Sequence, residues 1–350
     1  MPRNNIVVLD AGNSIIKARS PENEIHFRHA LVRLTDAEFS EIFARAQYKI
    51  PPGYVRVNGI PYAYGERAES RGVITRQRGA ARYHREYYGT LAAIALTQIY
   101  PSASTETLVY GSHAPQDIHY AKDLTRAVIG TYHCEFGDVE RHYKVSGAAT
   151  FDEPLGGLMN VMLTHDGGYN QRWQYTDGAT LVIDIGGVTT DLIAVQPGGK
   201  IDYNIAISLE VGIQEAETNF ERAIRSSLRD LLKSSGKLPE DRVRAALQTG
   251  QLKAAGQTFS VENEKTESTF MLLNRLADAY QSKAGGPARW DHIILTGGGS
   301  AMLADDLINR VLEHHSVSLA DDDRDSLYMA NVRGGLRLWR VLQREGVYPL

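Results

Sequence analysis

Two short stretches of this 350-residue chain place the same polar groups after an apolar run. In VVLDAGNSIIKA (residues 7–18), Asp10 is followed by Gly12, Asn13, Ser14 and Lys17. In LVIDIGGVTTDLIAV (residues 181–195), Asp184 is followed by Gly186, Gly187, Val188, Thr189, Thr190 and Asp191. Glycine tolerates positive φ and has no side chain to block approach, so Gly12, Gly186 and Gly187 leave backbone N–H groups able to hold phosphate oxygens. Hydroxyls at Ser14, Thr189 and Thr190 can donate to the same oxygens, and Lys17 supplies a compact positive charge. The carboxylates of Asp10 and Asp184 would repel phosphate directly and suit Mg2+ or its waters. Two such turns facing each other would grip a polyphosphate from both sides.

A third turn, ILTGGGSAML, again runs from a strand into the start of a helix. Gly297, Gly298 and Gly299 would let a flat base or sugar lie against bare backbone, and the helix opening at Ser300 favours a nearby anionic group. Ribose contacts are expected from EVGIQEAETNF, where Gln214 or Glu217 could reach the hydroxyls.

These turns need strands to hold them. Residues 5–35 alternate apolar runs with turns and read as a three-stranded antiparallel meander, and VRVNGIPYAYGERA places Asn-Gly between strand-like flanks, a hairpin signal. The stretch from Ala81 reads as a helix with Tyr87, Leu91, Ile94 and Ala95 on its apolar face and Pro101 beyond its end. ETLVYGSHAP is a buried strand, DIHYAKDLTRAVIG a helix closed by Gly130, and YHCEFG and HYKVSGAATF two further strands. DEPLGGLMNVMLTHDG is a helix with Pro154 in its first turn. HDGGYNQRWQYTDG reads as a surface insertion or hairpin. The strand pattern restarts at Thr180, followed by helical stretches over SLEVGIQEAETNFERAIRSSLRDLLKSSG, ENEKTESTFMLLNRLADAYQSKAGG and, at the end, SLYMANVRGGLRLWRVLQREG. Strands fall in two clusters, each followed by helices, which fits two α/β lobes.

Composition narrows the function class. With 43% hydrophobic and 23% charged residues the chain reads as an ordinary globular protein. A net charge of −4 argues against a surface that coats nucleic acid, so no direct nucleic-acid binding is expected. The single cysteine, Cys134, cannot form an intrachain disulfide and reads as a small buried hydrophobe, which fits a cytoplasmic setting. No signal-peptide pattern opens the chain, and its longest apolar stretch is too short for a bilayer, so no membrane is expected. The basic stretch TRQRGAARYHRE (residues 75–86) reads as a solvated helix entry, with DNA or a neighbouring subunit as the alternative partner. His314 and His315 end a helix, where positive charge suits the dipole rather than a metal.

VLDAGNSIIKA, VIDIGGVTTD and ILTGGGSAML resemble the phosphate 1, phosphate 2 and adenosine motifs of the actin-like ATPase superfamily. Within it the chain is most similar to the ParM-type plasmid-segregation proteins of bacteria and their archaeal relatives. TFDEPLGGLM resembles the first connecting helix and YMANVRGGLRL the second; YGSHAP departs from the Gly-Leu-Pro common in relatives. The resemblance implies an actin-like α/β fold of two ribonuclease H-like lobes with a nucleotide cleft between them. Lobe I would comprise 1–163 plus 327–350, and lobe II 164–326. It implies that Asp10, Asn13 and Lys17 serve the first phosphate turn, and Asp184, Gly186, Gly187, Thr189 and Asp191 the second. Glu153 would orient the attacking water, with Asp10 and Asp184 completing the catalytic set; without the resemblance, Glu153 is a helix-start charge.

The implied function is a Mg2+-dependent ATPase, using ATP or GTP, that polymerises into filaments for plasmid or DNA segregation, with a DNA-binding adaptor as partner. The alternatives are a non-polymerising small-molecule kinase or phosphatase of the same superfamily, or a cytoskeletal filament with another cargo. At 350 residues the chain is expected to be too short to carry the substrate domain of the chaperone branch.

Overall fold

A computed structural model describes residues 5–71, 79–170, 177–229, 238–254, 256–313 and 316–347. It divides into two compact units, Met1–Trp173 with Met329–Leu350, and Gln174–Tyr328.

The first unit opens with strands β1 (Asn5–Ala11), β2 (Ile15–Arg19) and β3 (Glu24–Arg28), the expected antiparallel meander. Strand β4 (Leu31–Arg33) and helix α1 (Asp36–Arg45) follow, and Thr35 and Glu38 close a reciprocal capping box at the helix start. Strands β5 (Tyr54–Val57) and β6 (Ile60–Tyr64) form the Asn-Gly hairpin, with Asn58 and Gly59 both at positive φ. Next come the single-turn helix α2 (Glu66–Glu69) and helix α3 (Thr90–Ile99). The helix expected from Ala81 is thus shorter: a 3₁₀ turn at Gly79–Tyr83 and a π-wound turn at Arg85–Gly89 precede α3.

Strand β7 (Thr105–His113) leads through a 3₁₀ turn to α4 (Ala121–Val128), then β8 (Gly130–Phe136), β9 (Val139–Asp152) and α5 (Glu153–Met162). Gly130 does not close α4 as expected; Ile129 caps that helix and Gly130 begins β8. The sheet runs β3-β2-β1-β7-β9-β8-β5-β6-β4. Alternate residues of β1 face opposite layers. Val7, Leu9 and Ala11 pack in one core with the residues of α3, while Val8 and Asp10 point to the other side. That two-sided burial makes β1 read as a continuous apolar run.

The second unit repeats the plan. Strands β10 (Thr180–Ile185), β11 (Thr190–Gln196) and β12 (Lys200–Leu209) form a meander, then α6 (Ile213–Ser227), α7 (Glu240–Thr249), the hairpin β13 (Gln251–Ala254) and β14 (Gln257–Ser260), α8 (Glu262–Ala284), β15 (His292–Thr296), α9 (Gly298–Arg310) and β16 (Ser316–Leu319). The helix expected from Ser208 begins at Ile213, because Ser208 and Leu209 end β12. Its sheet runs β12-β11-β10-β15-β16, with antiparallel, antiparallel, parallel and parallel pairings. The strands β3-β2-β1-β7-β9 show the same succession. The duplicated turn is therefore one corner of a duplicated sheet.

Helix α10 (Ala330–Arg344) returns to the first unit and lies along α5. The pairing depends on absent side chains: a Cβ on Gly334 would stand 1.8 Å from the Gly156 carbonyl oxygen, and one on Gly156 would stand 2.4 Å from that of Asn331. Arg337 donates to the carbonyls of Asn160 and Leu163 at 2.5 and 2.6 Å, satisfying the end of α5 with a cation. No helix among the described residues is long and apolar enough to cross a membrane.

Candidate functional site

In the first unit, Asp10 and Lys17 are opposite one another on β1 and β2, and Lys17 Nζ lies 2.5 Å from Asp10 Oδ2. Asp10 is fully buried. Gly12, Asn13 and Ser14 form the half-buried turn between the strands. Two side chains hold this turn from behind. Arg82 Nη2 donates to the Ala11 carbonyl, and a ring nitrogen of His29, Nδ1, is 2.6 Å from the Gly12 carbonyl oxygen. His29 Nε2 is 2.6 Å from Tyr87 Oη, and all of His29 is buried. In a trans peptide the carbonyl and the next N–H point in opposite directions. With these two carbonyls fixed toward Arg82 and His29, the N–H groups of Gly12 and Asn13 point the other way.

Arg82 belongs to the stretch read as a solvated helix entry, and for this residue that reading is corrected: its side chain is buried. His84, Arg85 and Glu86 are exposed as expected, while residues 75–78 lie outside the described residues. Burial opposes the Arg82 charge, but the fields of Tyr83, Glu153, Tyr88 and Asp10 outweigh it and raise its pKa. Burial likewise raises the Tyr88 phenol, which stays neutral, and Tyr88 Oη has no hydrogen-bond partner among the described residues. Asp10, Arg82, Tyr88 and the half-buried Glu153 thus form one electrostatic group.

Glu153 is the first residue of α5, after Asp152 at the N-cap position and before Pro154, which suits the first helical turn. The departure at YGSHAP has a partner here. His113 ends β7 opposite Asp152 on β9, with Nδ1 3.5 Å from Asp152 Oδ1. Burial raises the Asp152 carboxyl above its usual value, and His113 partly counters it.

In the second unit, Asp184 and Asp191 are opposite one another on β10 and β11, in the same relation as Asp10 and Lys17. Both are buried. Asp191 accepts hydrogen bonds from Thr189 Oγ1 at 3.1 Å and from Ser208 Oγ. Two opposed buried carboxylates with hydroxyls around them are an oxygen-donor set that fits a hard divalent cation. Gly186, Gly187, Val188 and Thr189 form the half-buried turn. Here the helix does what Arg82 and His29 do in the first unit: the first N–H groups of α6, from Ile213 and Gln214, donate to the carbonyls of Gly186 and Gly187 at 3.1 and 2.8 Å. The N–H groups of Gly187 and Val188 therefore face away from α6. The helix sits so close that a Cβ on Gly212 would meet the Gly187 carbonyl at 2.6 Å.

Thr190 is fully buried and donates to the Val211 carbonyl at 2.7 Å, so its proton is not directed to a ligand. Glu217 is engaged by Arg244, with contacts of 2.6 and 3.3 Å, while Gln214 is half-buried one turn earlier. The triple glycine also differs from the bare platform expected. Only Gly297 is a turn residue, at φ 86°, because α9 already begins at Gly298. A Cβ on Gly297 would meet Asp184 Oδ1 at 2.1 Å, and one on Gly299 would meet Ile185 Cγ2 at 2.4 Å. These two glycines let α9 pack on β10, and Gly298 alone stays half-buried at the surface. Ser300 is buried and donates to the Thr296 carbonyl at 2.5 Å. His314 and His315 lie outside the described residues. Burial pushes the free Cys134 thiol up to about 12, as befits a core residue.

A protein-family model described as archaeal actin homologue MreB-like, C-terminal, matches residues 182–309. No curated protein matches the chain. Among solved structures, an archaeal actin homologue is 16% identical, with a TM-score of 0.76 over 96% of this chain and 99% of that one. The same homologue in complex with ADP gives a TM-score of 0.71. The ParM of Bacillus thuringiensis with AMPPNP is 12% identical, with a TM-score of 0.67 over 97% and 99% of the two chains. A 15-stranded ParM filament from Clostridium botulinum is 16% identical, with a TM-score of 0.67 over 95% and 99%. The chain therefore has the actin-like α/β fold that the motifs led one to expect.

Proposed function

We propose that this chain, with its actin-like fold, binds a nucleoside triphosphate with Mg2+, hydrolyses it and polymerises into filaments that segregate plasmid or other DNA through an adaptor. The observation that carries the reading is the matched corner of the two sheets. In each, an aspartate stands next to last in the first strand and two carbonyls at the strand end and turn are held from behind, so successive N–H groups are presented for phosphate oxygens. The nucleotides held by the archaeal homologue and by the Bacillus thuringiensis ParM support this use of the fold.

Asp184 and Asp191 are the residues that would hold the metal, and a bound Mg2+ would neutralise phosphate charge. Lys17, paired with Asp10, keeps a positive charge beside the first turn, and Arg82 adds another behind it. Glu153 orients water for in-line attack, because phosphoryl transfer depends chiefly on alignment and charge stabilisation. Gln214 or Glu217, the latter also engaged by Arg244, would reach the ribose hydroxyls. Self-assembly is supported by the filament formed by the Clostridium botulinum relative. ATP is the expected nucleotide, with GTP as its competitor, and the cytoplasm the expected location.

The test is sedimentation and negative-stain microscopy with and without Mg-ATP, beside phosphate release. Nucleotide-dependent filaments with hydrolysis are expected. Hydrolysis with no sedimentable polymer at tens of micromolar would favour a non-polymerising kinase or phosphatase instead.

A further inference from the structure

The hairpin of β8 and β9 carries a cluster of side chains that the proposed nucleotide chemistry does not use. His133 and His142 are directly opposite across the antiparallel pair, with rings stacked at a centroid separation of 4.8 Å and an interplanar angle of 19°. Glu140 lies two residues before His142 and therefore on the same face of the sheet. Its Oε1 is 2.5 Å from His133 Nε2 and 4.0 Å from His142 Nε2. One ligand atom from each of the three residues falls within 4.8 Å of the others.

We propose that His133, Glu140 and His142 bind a divalent transition cation of the Zn2+ class, with water completing a tetrahedral set. Imidazole and carboxylate are the ligands such ions prefer, with Zn–N bonds of about 2.0–2.1 Å and Zn–O bonds of about 2.0–2.2 Å. Small rotations of the exposed Glu140 and His142 and the half-buried His133 bring three atoms already this close onto one ion. The backbone under them is fixed: the His133 N–H donates to Asn58 Oδ1 at 2.8 Å, and the His142 N–H donates to Ser104 Oγ at 2.9 Å. Ligands on paired strands lose little freedom on binding, which favours the ion. Among the described residues, only the two histidines form ion pairs with the Glu140 carboxylate. Arg56 is paired with Asp36 and Glu135, Lys144 with Glu106, and Lys49 with Asp138, while Arg141 donates to the backbone carbonyl of Glu140.

The site differs in kind from the opposed aspartates of the second unit, whose all-oxygen donors suit Mg2+. Zinc titrated by calorimetry into the full chain, without nucleotide and with excess Mg2+ to occupy carboxylate sites, separates the two. Binding of one Zn2+ per chain in the micromolar range is expected, with Co2+ giving the intense visible bands of a tetrahedral ion. His133→Ala and His142→Ala should each weaken binding by roughly tenfold or more, and the double variant should abolish it. His142 is exposed and His133 half-buried, and unchanged thermal melts without metal would verify that the variants fold. Absence of zinc binding by the wild type, or equal binding by the double variant, overturns the proposal.

Discussion

His29 and Gly12 are 17 residues apart in sequence, and His29 Nδ1 lies 2.6 Å from the Gly12 carbonyl oxygen. The contact orients the peptide between Gly12 and Asn13, and Tyr87 fixes the ring from its other side. If that peptide presents its N–H to phosphate, removal of the ring should weaken nucleotide binding. Loss of one well-oriented hydrogen bond costs on the order of 1 kcal/mol, so His29→Ala should raise the dissociation constant for Mg-ADP by roughly fivefold to tenfold. Titration calorimetry measures it. Tyr87→Phe keeps the packing and should give a smaller effect of the same sign; unchanged affinity in both variants would remove His29 from the site.

Asp184 and Asp191 face each other across β10 and β11, where the first unit has Asp10 and Lys17. Asp184→Ala should abolish hydrolysis or weaken Mg-nucleotide binding strongly, because a lone opposed carboxylate holds the cation poorly. Phosphate release over a range of Mg2+ concentrations would reveal it. Full activity at low Mg2+ is the result that counts against the assignment.

Glu153 tests the chemistry apart from binding. Glu153→Ala should bind nucleotide normally yet hydrolyse it about 10²-fold more slowly, the scale of a lost positioning group. Filaments of the variant should form with ATP and persist longer than those of the wild type, as light scattering through one assembly and decay cycle would record. Unchanged hydrolysis returns Glu153 to a helix-start charge.

Asp152 gives a pH signature. Burial raises its folded pKa, with His113 acting in the opposite sense, so the folded state binds the proton more tightly than the unfolded chain. The resulting penalty is absent below the unfolded value of about 3.9, grows as pH rises toward the folded pKa and is complete above it. Asp152→Asn removes the charge. The excess of its melting temperature over that of the wild type should be smaller near about pH 4 than near about pH 8. An equal difference at both values would mean that titration is not the cause.

The contact of α5 with α10 tolerates no added carbon. Gly334→Ala places a methyl group against the Gly156 carbonyl, and overpacking of this kind costs about 1–3 kcal/mol. A fall in melting temperature of roughly 2–12 °C is expected by calorimetry. Gly346→Ala, a position where an added Cβ meets nothing within 4 Å, controls for the general effect of replacing glycine. Its φ of 70° adds local strain but no clash, so its loss should be the smaller.

The strands, the Asn-Gly hairpin, the helix opening at Pro154 and the two Asp-x-Gly corners were all determined by local chemistry, because apolar periodicity and turn residues act over a few positions. The fold followed from their order. Tertiary structure decided which polar groups stand behind the corners. Arg82 reads locally as one more surface cation, yet it reaches the Ala11 carbonyl across 71 residues, and only packing removes it from water. Thr190 and Ser300 look like donors for a ligand, but the folded chain gives their protons to the carbonyls of Val211 and Thr296. Gly297 and Gly299 look like a bare platform, but the close approach of α9 to β10 is what requires them. In each case the sequence specifies the group, while the partner that determines its use comes from a distant element, and no local pattern encodes that pairing.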